Sequence, residues 1–285
     1  TTGLNKNHPA QRHINLFGDG VKDIAFTVFD AEKAYNKAIE NGAESAYEPY
    51  TTSDEHGEVV RAGIKTYGEI VHSFVSRSGT YRLPNLKKGS IIFPGFQEMV
   101  HPLNQFNKDN PCGLKFLDHC VGNVEFNGMN KAVDWYEKVL EFSMFKHFDD
   151  DDISTEYSAL MSKVMSSGSG LIKFPINEPA EGKRKSQIQE YLDWHNDTPG
   201  IQHLAFRTDD AIQSITELRK RGVNFLRLPD TYYELVWDRV GDIQEEKRLI
   251  QELGILVDRD DQGYLLQLFT RPVQDRPTLF FEIIC

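Results

Sequence analysis

Along the chain, short apolar runs that suit strands alternate with stretches in which apolar residues return every three or four positions, as on a helix with one buried face. From Gly20, GVKDIAFTVFDAEKAYNKAIENGAESAYEP opens on an apolar run, passes an Asp where a helix N-cap is needed, and continues with Ala31, Ala34, Tyr35, Ala38 and Ile39 on one stripe. From Gly200, GIQHLAFRTDDAIQSITELRKRGVNFLRLP repeats the pattern without a gap. Gly20 matches Gly200, Phe26 matches Phe206, Asp30 matches Asp210, Gly42 matches Gly222 and Pro49 matches Pro229, with Ala211, Ile215 and Leu218 on the second stripe. The two matched glycines fall at the C′ position that ends a helix. Each copy predicts strand, capped helix, stop and strand, and agreement of this length marks an internal repeat.

A fainter third unit lies between them. LKFLDHCVGNVEF reads as a strand, and Ala132, Val133, Tyr136, Val139 and Leu140 form a helical stripe after it. Strand-rich stretches follow the helices: RAGIKTYGEIVHSFVSRS, SALMSKVMSSGSGLIKFPI and GYLLQLFTRPVQDRPTLFFEII. The pattern predicts an α+β protein of repeated βαβββ modules in two domains. Residues 1–113 form an N-terminal domain with one module and a connector rich in Pro, Gly and Asn, which reads as half a domain; residues 114–285 form a C-terminal catalytic domain with two modules. The insertion DTYYELVWDRVGDIQEEKRLIQEL predicts amphipathic helix that covers a sheet or makes a subunit contact.

Charge narrows the partners. Lys and Arg total 32 against 43 Asp and Glu, a net charge of −11, which argues against nucleic acid and anionic membranes as partners. No apolar run approaches the ~18 residues a membrane helix needs, and the first residues lack the apolar core of a signal peptide. A cytoplasmic protein is expected. Cys112, Cys120 and Cys285 form no CxxC pair, so any metal must be held by His and carboxylate.

Two histidines occupy the same place in consecutive modules: His119 in FLDHCVG and His203 in GIQHLAF. The first repeat has Asp23 there, so the repeat does not itself demand histidine. Glu282 sits within TLFFEIIC, a strand that otherwise reads as buried, where a carboxylate needs a cation, a proton or a metal; an ion pair with Arg or Lys, or an edge strand, would also account for it. Together the three make a candidate 2-His-1-carboxylate set, which suits non-haem Fe(II), with zinc and manganese open on the donors alone. Asn177, Gln187, Gln202 and Gln267 read as lying in or beside strands of the same domain. The FDDDD run beginning at Phe148 and the basic run at 183–185 read as solvated turn and loop.

Finally, GDGVKDIAF, DHCVGN, FPINEPAEGKRKSQIQEY, GIQHLAF and GYLLQLFTRPVQDRPTLFFEII resemble, in order and over essentially the whole chain, the 4-hydroxyphenylpyruvate dioxygenase family of the vicinal oxygen chelate superfamily. The resemblance implies glyoxalase-like open barrels, a homodimer or homotetramer, and Fe(II) held by His119, His203 and Glu282. It implies conversion of 4-hydroxyphenylpyruvate and O₂ to homogentisate and CO₂ in tyrosine and phenylalanine catabolism, by oxidative decarboxylation, ring hydroxylation and side-chain migration. Gln267, Gln202 and Asn177 fall on the family's catalytic positions, Ser162 and Gln187 on substrate contacts, and Phe269 and Phe280 on aromatic walls. The similar 4-hydroxymandelate synthase family oxidises the benzylic carbon instead, and lacks the PINEP asparagine and the VQDRPT stretch. Measured against the resemblance, about one N-terminal module and the C-terminal closing helix fall outside the chain, so a truncated form that binds metal without turnover is the other expectation.

Overall fold

A computed structural model of the chain describes residues 5–82, 91–97, 101–148, 160–180, 185–260 and 263–285. Helix α1 (Pro9–Phe17) precedes a first module of β1 (Asp23–Thr27), α2 (Ala31–Glu40), β2 (Glu44–Asp54), β3 (Gly57–Lys65) and β4 (Val71–Arg77). Within the connector, α3 (Leu103–Asp109) is a short helix with no buried residue. The second module is β5 (Leu114–Asn123), α4 (Met129–Leu140), β6 (Ser143–Phe148), β7 (Leu160–Ser166) and β8 (Lys173–Pro179). After α5 (Gln187–Trp194), the third comprises β9 (Gly200–Thr208), α6 (Ala211–Lys220), α7 (Asp230–Val240), α8 (Lys247–Leu253), β10 (Leu256–Asp260), β11 (Gly263–Phe269) and β12 (Phe280–Ile284).

All three modules share one topology. The first sheet runs β1-β4-β3-β2, and the second, of eight strands, runs β10-β11-β12-β9-β5-β8-β7-β6. In each module the first strand lies parallel to the last, and the remaining strands fold outward antiparallel. The eight-stranded sheet is therefore two modules joined along their first strands, β5 antiparallel to β9.

The repeated sequence yields repeated structure down to its caps. Asp30 accepts from the Lys33 amide at 3.0 Å and Asp210 from the Gln213 amide at 2.8 Å, each satisfying a donor that the first helical turn leaves orphaned. At the other end, the Ala43 amide returns to the Ala38 carbonyl and the Val223 amide to that of Leu218, across Gly42 at φ 100° and Gly222 at φ 86°. The copies then part. The first continues directly into β2, whereas NFLRLP, expected as a strand, makes a single bridge from Phe225 to Thr270 and leaves the sheet for α7 and α8. Those helices bury Tyr233, Val236, Val240 and Ile250 against Ile215, Leu266, Leu268 and Ile283, so the insertion covers the sheet.

A second core cluster joins the first module to the second: Phe26, Tyr35 and Phe74 pack with Val133, Tyr136 and Phe174. Within it lies His72, which is 0% exposed. Its Nδ1–H donates to the Ile24 carbonyl at 3.3 Å and its Nε2 meets the Tyr136 hydroxyl at 2.7 Å, partners that a neutral imidazole satisfies. No helix among the described residues is long and apolar enough to cross a membrane.

Burial pulls the His72 pKa down from its ordinary value to about 4. Below pH 6.5 the unfolded chain takes up a proton that the fold refuses, so stability falls as pH drops from 6.5 towards 4. This one group should contribute a loss of about 3 kcal/mol over that window. Urea unfolding of the wild type and of His72→Gln between pH 7 and pH 4 checks it: the variant should show a shallower fall, and parallel curves would assign the pH dependence to other groups.

Candidate metal centre

The seam between the second and third modules gathers the predicted donors. His119 on β5 lies opposite Ala205 on β9, and Ala205 lies opposite Glu282 on β12. His203 stands two residues before Ala205 and so projects to the same face. Residues far apart in sequence thus meet on three neighbouring strands, around an alanine whose methyl leaves the space between them open.

Two of the three irregularities of the β5–β9 ladder sharpen the arrangement. From the Leu117–Phe206 pair to the His119–Ala205 pair, β5 advances two residues and β9 one; from Val121–His203 to Gly122–Ile201, the counts reverse. The extra residues are Asp118 and Gln202. In a regular strand neighbouring side chains point to opposite faces, but a bulge lets consecutive side chains turn to one side. Each bulged residue uses this to reach the histidine that follows it. His119 Nδ1–H donates to Asp118 Oδ1 at 2.9 Å, and His203 Nδ1–H donates to Gln202 Oε1 at 3.0 Å.

With both Nδ1 atoms engaged, both Nε2 atoms face Glu282. Its Oε2 lies 3.1 Å from His119 Nε2 and 3.2 Å from His203 Nε2. Glu282 is 2% exposed. Burial opposes protonation of His119, but the Asp118 and Glu282 carboxylates outweigh it and push His119 up to about 9. Burial lowers His203 despite Glu282, and the two imidazoles hold Glu282 below the usual carboxylate range against the pull of its own burial. The surroundings favour an ionised carboxylate facing positive charge.

A divalent metal fits these residues. Two ligands held about 2.1 Å from one ion and at right angles stand about 3 Å apart, which is the separation of Glu282 from each imidazole. The three donor atoms lie within 4.8 Å of one another, and no other group of three His, Cys, Asp or Glu among the described residues does so. All three cysteines are free, in keeping with a site built from nitrogen and oxygen.

The remaining predicted residues sort by strand register. Gln267 pairs with Ile284 and Phe269 with Glu282, which places both on the donor face. Phe280 stacks on His203, ring centroids 4.8 Å apart, and Phe269 meets the same imidazole edge-on. Asn177 pairs with Asn123 and with Ser162, and lies in the row that His119 begins on β5. Its neighbour Glu178 points to the other face and accepts from the Met129 amide at 3.0 Å, capping α4, which has no side-chain cap of its own. Gln187 departs from expectation: it is exposed and opens α5 rather than lying beside a strand, because Ser186 caps that helix and Ile188, Tyr191 and Leu192 form its buried stripe. The FDDDD run and the basic run at 183–185 lie largely outside the described residues. Asp118 and Lys173 were not picked out from sequence, although Asp118 occupies in its module the place of Gln202.

The paired βαβββ modules place the chain in a known class: residues 117–268 match the family model of the Glyoxalase/Bleomycin resistance protein/Dioxygenase superfamily. The chain is 48% identical over 280 residues to 4-hydroxyphenylpyruvate dioxygenase of Tetrahymena thermophila, covering 96% of this chain and 67% of that protein. It is 46% identical to the enzyme of that name from Dictyostelium discoideum, covering 99% of this chain and 76% of that protein. A solved triple mutant of 4-hydroxymandelate synthase from Streptomyces coelicolor superposes with a TM-score of 0.76 at 27% identity, covering 99% of this chain and 75% of that one. The chain belongs to the 4-hydroxyphenylpyruvate dioxygenase family.

Removing Glu282 should leave two imidazoles and no anion. Glu282→Ala is expected to lose stoichiometric divalent-metal binding, measured as metal content after anaerobic loading and gel filtration; unchanged content would reject the triad.

Proposed function

We propose that Fe(II) is the metal of this site and that the chain converts 4-hydroxyphenylpyruvate and O₂ to homogentisate and CO₂. The observation that carries the reading is the convergence of both Nε2 atoms and Glu282 on one point, in a chain whose relatives at 42–48% identity bear the dioxygenase name. His119, His203 and Glu282 would hold such an ion, which would supply the oxidative chemistry for a 2-oxo acid and O₂. The protein's own part is orientation and exclusion of water. Phe269 and Phe280 flank His203 and would hold an aromatic ring beside the metal. Gln267 and Gln202, near the donors, would take the polar groups of the substrate at that end. Asn177 and Ser162, buried along the row from His119, would take those at the other.

The likeness to 4-hydroxymandelate synthase favours a second reading, in which the same substrate is oxidised at the benzylic carbon. One experiment separates them. Anaerobic loading with Fe(II) and 4-hydroxyphenylpyruvate should give the charge-transfer band of a metal-chelated 2-oxo acid, and admission of O₂ should give homogentisate. 4-Hydroxymandelate as product would establish the second reading, a band without product would leave a metal site lacking turnover, and no band would reject both reactions.

A further inference from the structure

The Asp118 carboxylate accepts three contacts that no substrate-binding role explains. It takes His119 Nδ1–H at 2.9 Å, and it receives Lys173 Nζ at 2.9 and 3.0 Å on its two oxygens. Lys173 comes from the start of β8, the strand parallel to β5, so the carboxylate is gripped from its own strand and from the neighbouring one. Asp118 can turn towards His119 because it is the extra residue of the bulge between Leu117 and His119.

An imidazole that binds a metal through Nε2 must carry its proton on Nδ1, and the group accepting that proton sets both the tautomer and the orientation of the ring. We propose that Asp118, anchored by Lys173, is the positioning residue that holds His119 in its metal-binding form. His203 provides an internal comparison, since the matching bulge places a neutral amide, Gln202, behind it. The two ligands therefore have unequal support: a charge-assisted bond makes His119 the stronger donor. Lys173 keeps that arrangement from overloading the site with negative charge, because it balances Asp118 and leaves Glu282 as the anion facing the metal.

The inference rests on the reading of His119, His203 and Glu282 as a metal site, and the test keeps the two apart. Co(II) is titrated anaerobically into the wild type, Asp118→Ala, Asp118→Asn, Lys173→Met and Glu282→Ala, and the melting temperature of each metal-free protein is recorded. Asp118→Ala should raise the Co(II) dissociation constant 10- to 100-fold. Asp118→Asn should raise it less, because the amide oxygen still accepts Nδ1–H, and Lys173→Met should have an intermediate effect. Proton NMR of the Co(II)-loaded wild type should show two hyperfine-shifted, exchangeable Nδ1–H signals. In Asp118→Asn one should shift and exchange faster while the other stays, a pattern that general loosening of the fold would not give. Dissociation constants within twofold of wild type for the Asp118 and Lys173 variants, or two unmoved signals, would overturn the proposal. Undiminished binding by Glu282→Ala would instead overturn the metal site itself.

Discussion

The antiparallel pairing of β5 with β9 is the interaction on which the rest depends. Without it the second and third modules are separate sheets, each with one histidine, and neither holds a site. With it, His119 and His203 stand on adjacent strands, and the parallel pairing of β9 with β12 adds Glu282 on the next. The site is a property of register. A slip of one residue between β5 and β9 would turn His119 to the opposite face, where Cys120 now packs in the core. Register is held from outside the site: α4 packs beneath one module, α6, α7 and α8 beneath the other, and each buries an apolar stripe that a slip would expose.

A second constraint follows from burial. A carboxylate as enclosed as Glu282 costs several kcal/mol unless it faces positive charge, and two imidazoles presenting lone pairs do not supply it alone. A proton or a divalent ion must stand among them, and the two compete. The same logic continues outward, since each imidazole needs an acceptor at Nδ1 and the bulges deliver Asp118 and Gln202. Asp118 in turn needs a cation, and Lys173 provides it; the His119 and Lys173 hydrogen bonds hold the Asp118 carboxyl down at about 2. The chain of compensation ends at Lys173, which is partly open to water.

Much of this was legible in the sequence because it depends on local chemistry. The repeat announced itself through capping Asp residues and stop glycines whose roles are fixed by a few neighbouring residues. The triad was legible because a carboxylate among Leu, Phe and Ile in TLFFEIIC has few physical explanations. What stayed hidden depends on long-range pairing. A bulge is a mismatch between two strands and leaves no mark on either one alone, so the approach of Asp118 to His119 could not be read, nor could the ion pair with Lys173. His72 and Tyr136 belong to different modules, and their bond exists only once the first sheet packs on α4. In KSQIQEY the helical spacing of Ile188, Tyr191 and Leu192, and not the polar residues between them, decides the structure.

The first module separates what the fold requires from what the chemistry requires. Asp23 stands where the third module has His203, and Ser73, opposite Ala25, stands where that module has Glu282 opposite Ala205. The strand order, the parallel pairing and the capped helix survive these replacements intact. Instead of converging on a cation, the two residues satisfy each other: the Ser73 hydroxyl donates to Asp23 Oδ2 at 2.5 Å, and Tyr47 closes on the same hydroxyl. Among the described residues β1 is an edge strand, with no second module across it to bring another donor. The module thus supplies a rigid frame with polar positions on its first and last strands. The candidate metal centre lies where two frames meet and those positions carry His119, His203 and Glu282, each imidazole held from behind at Nδ1.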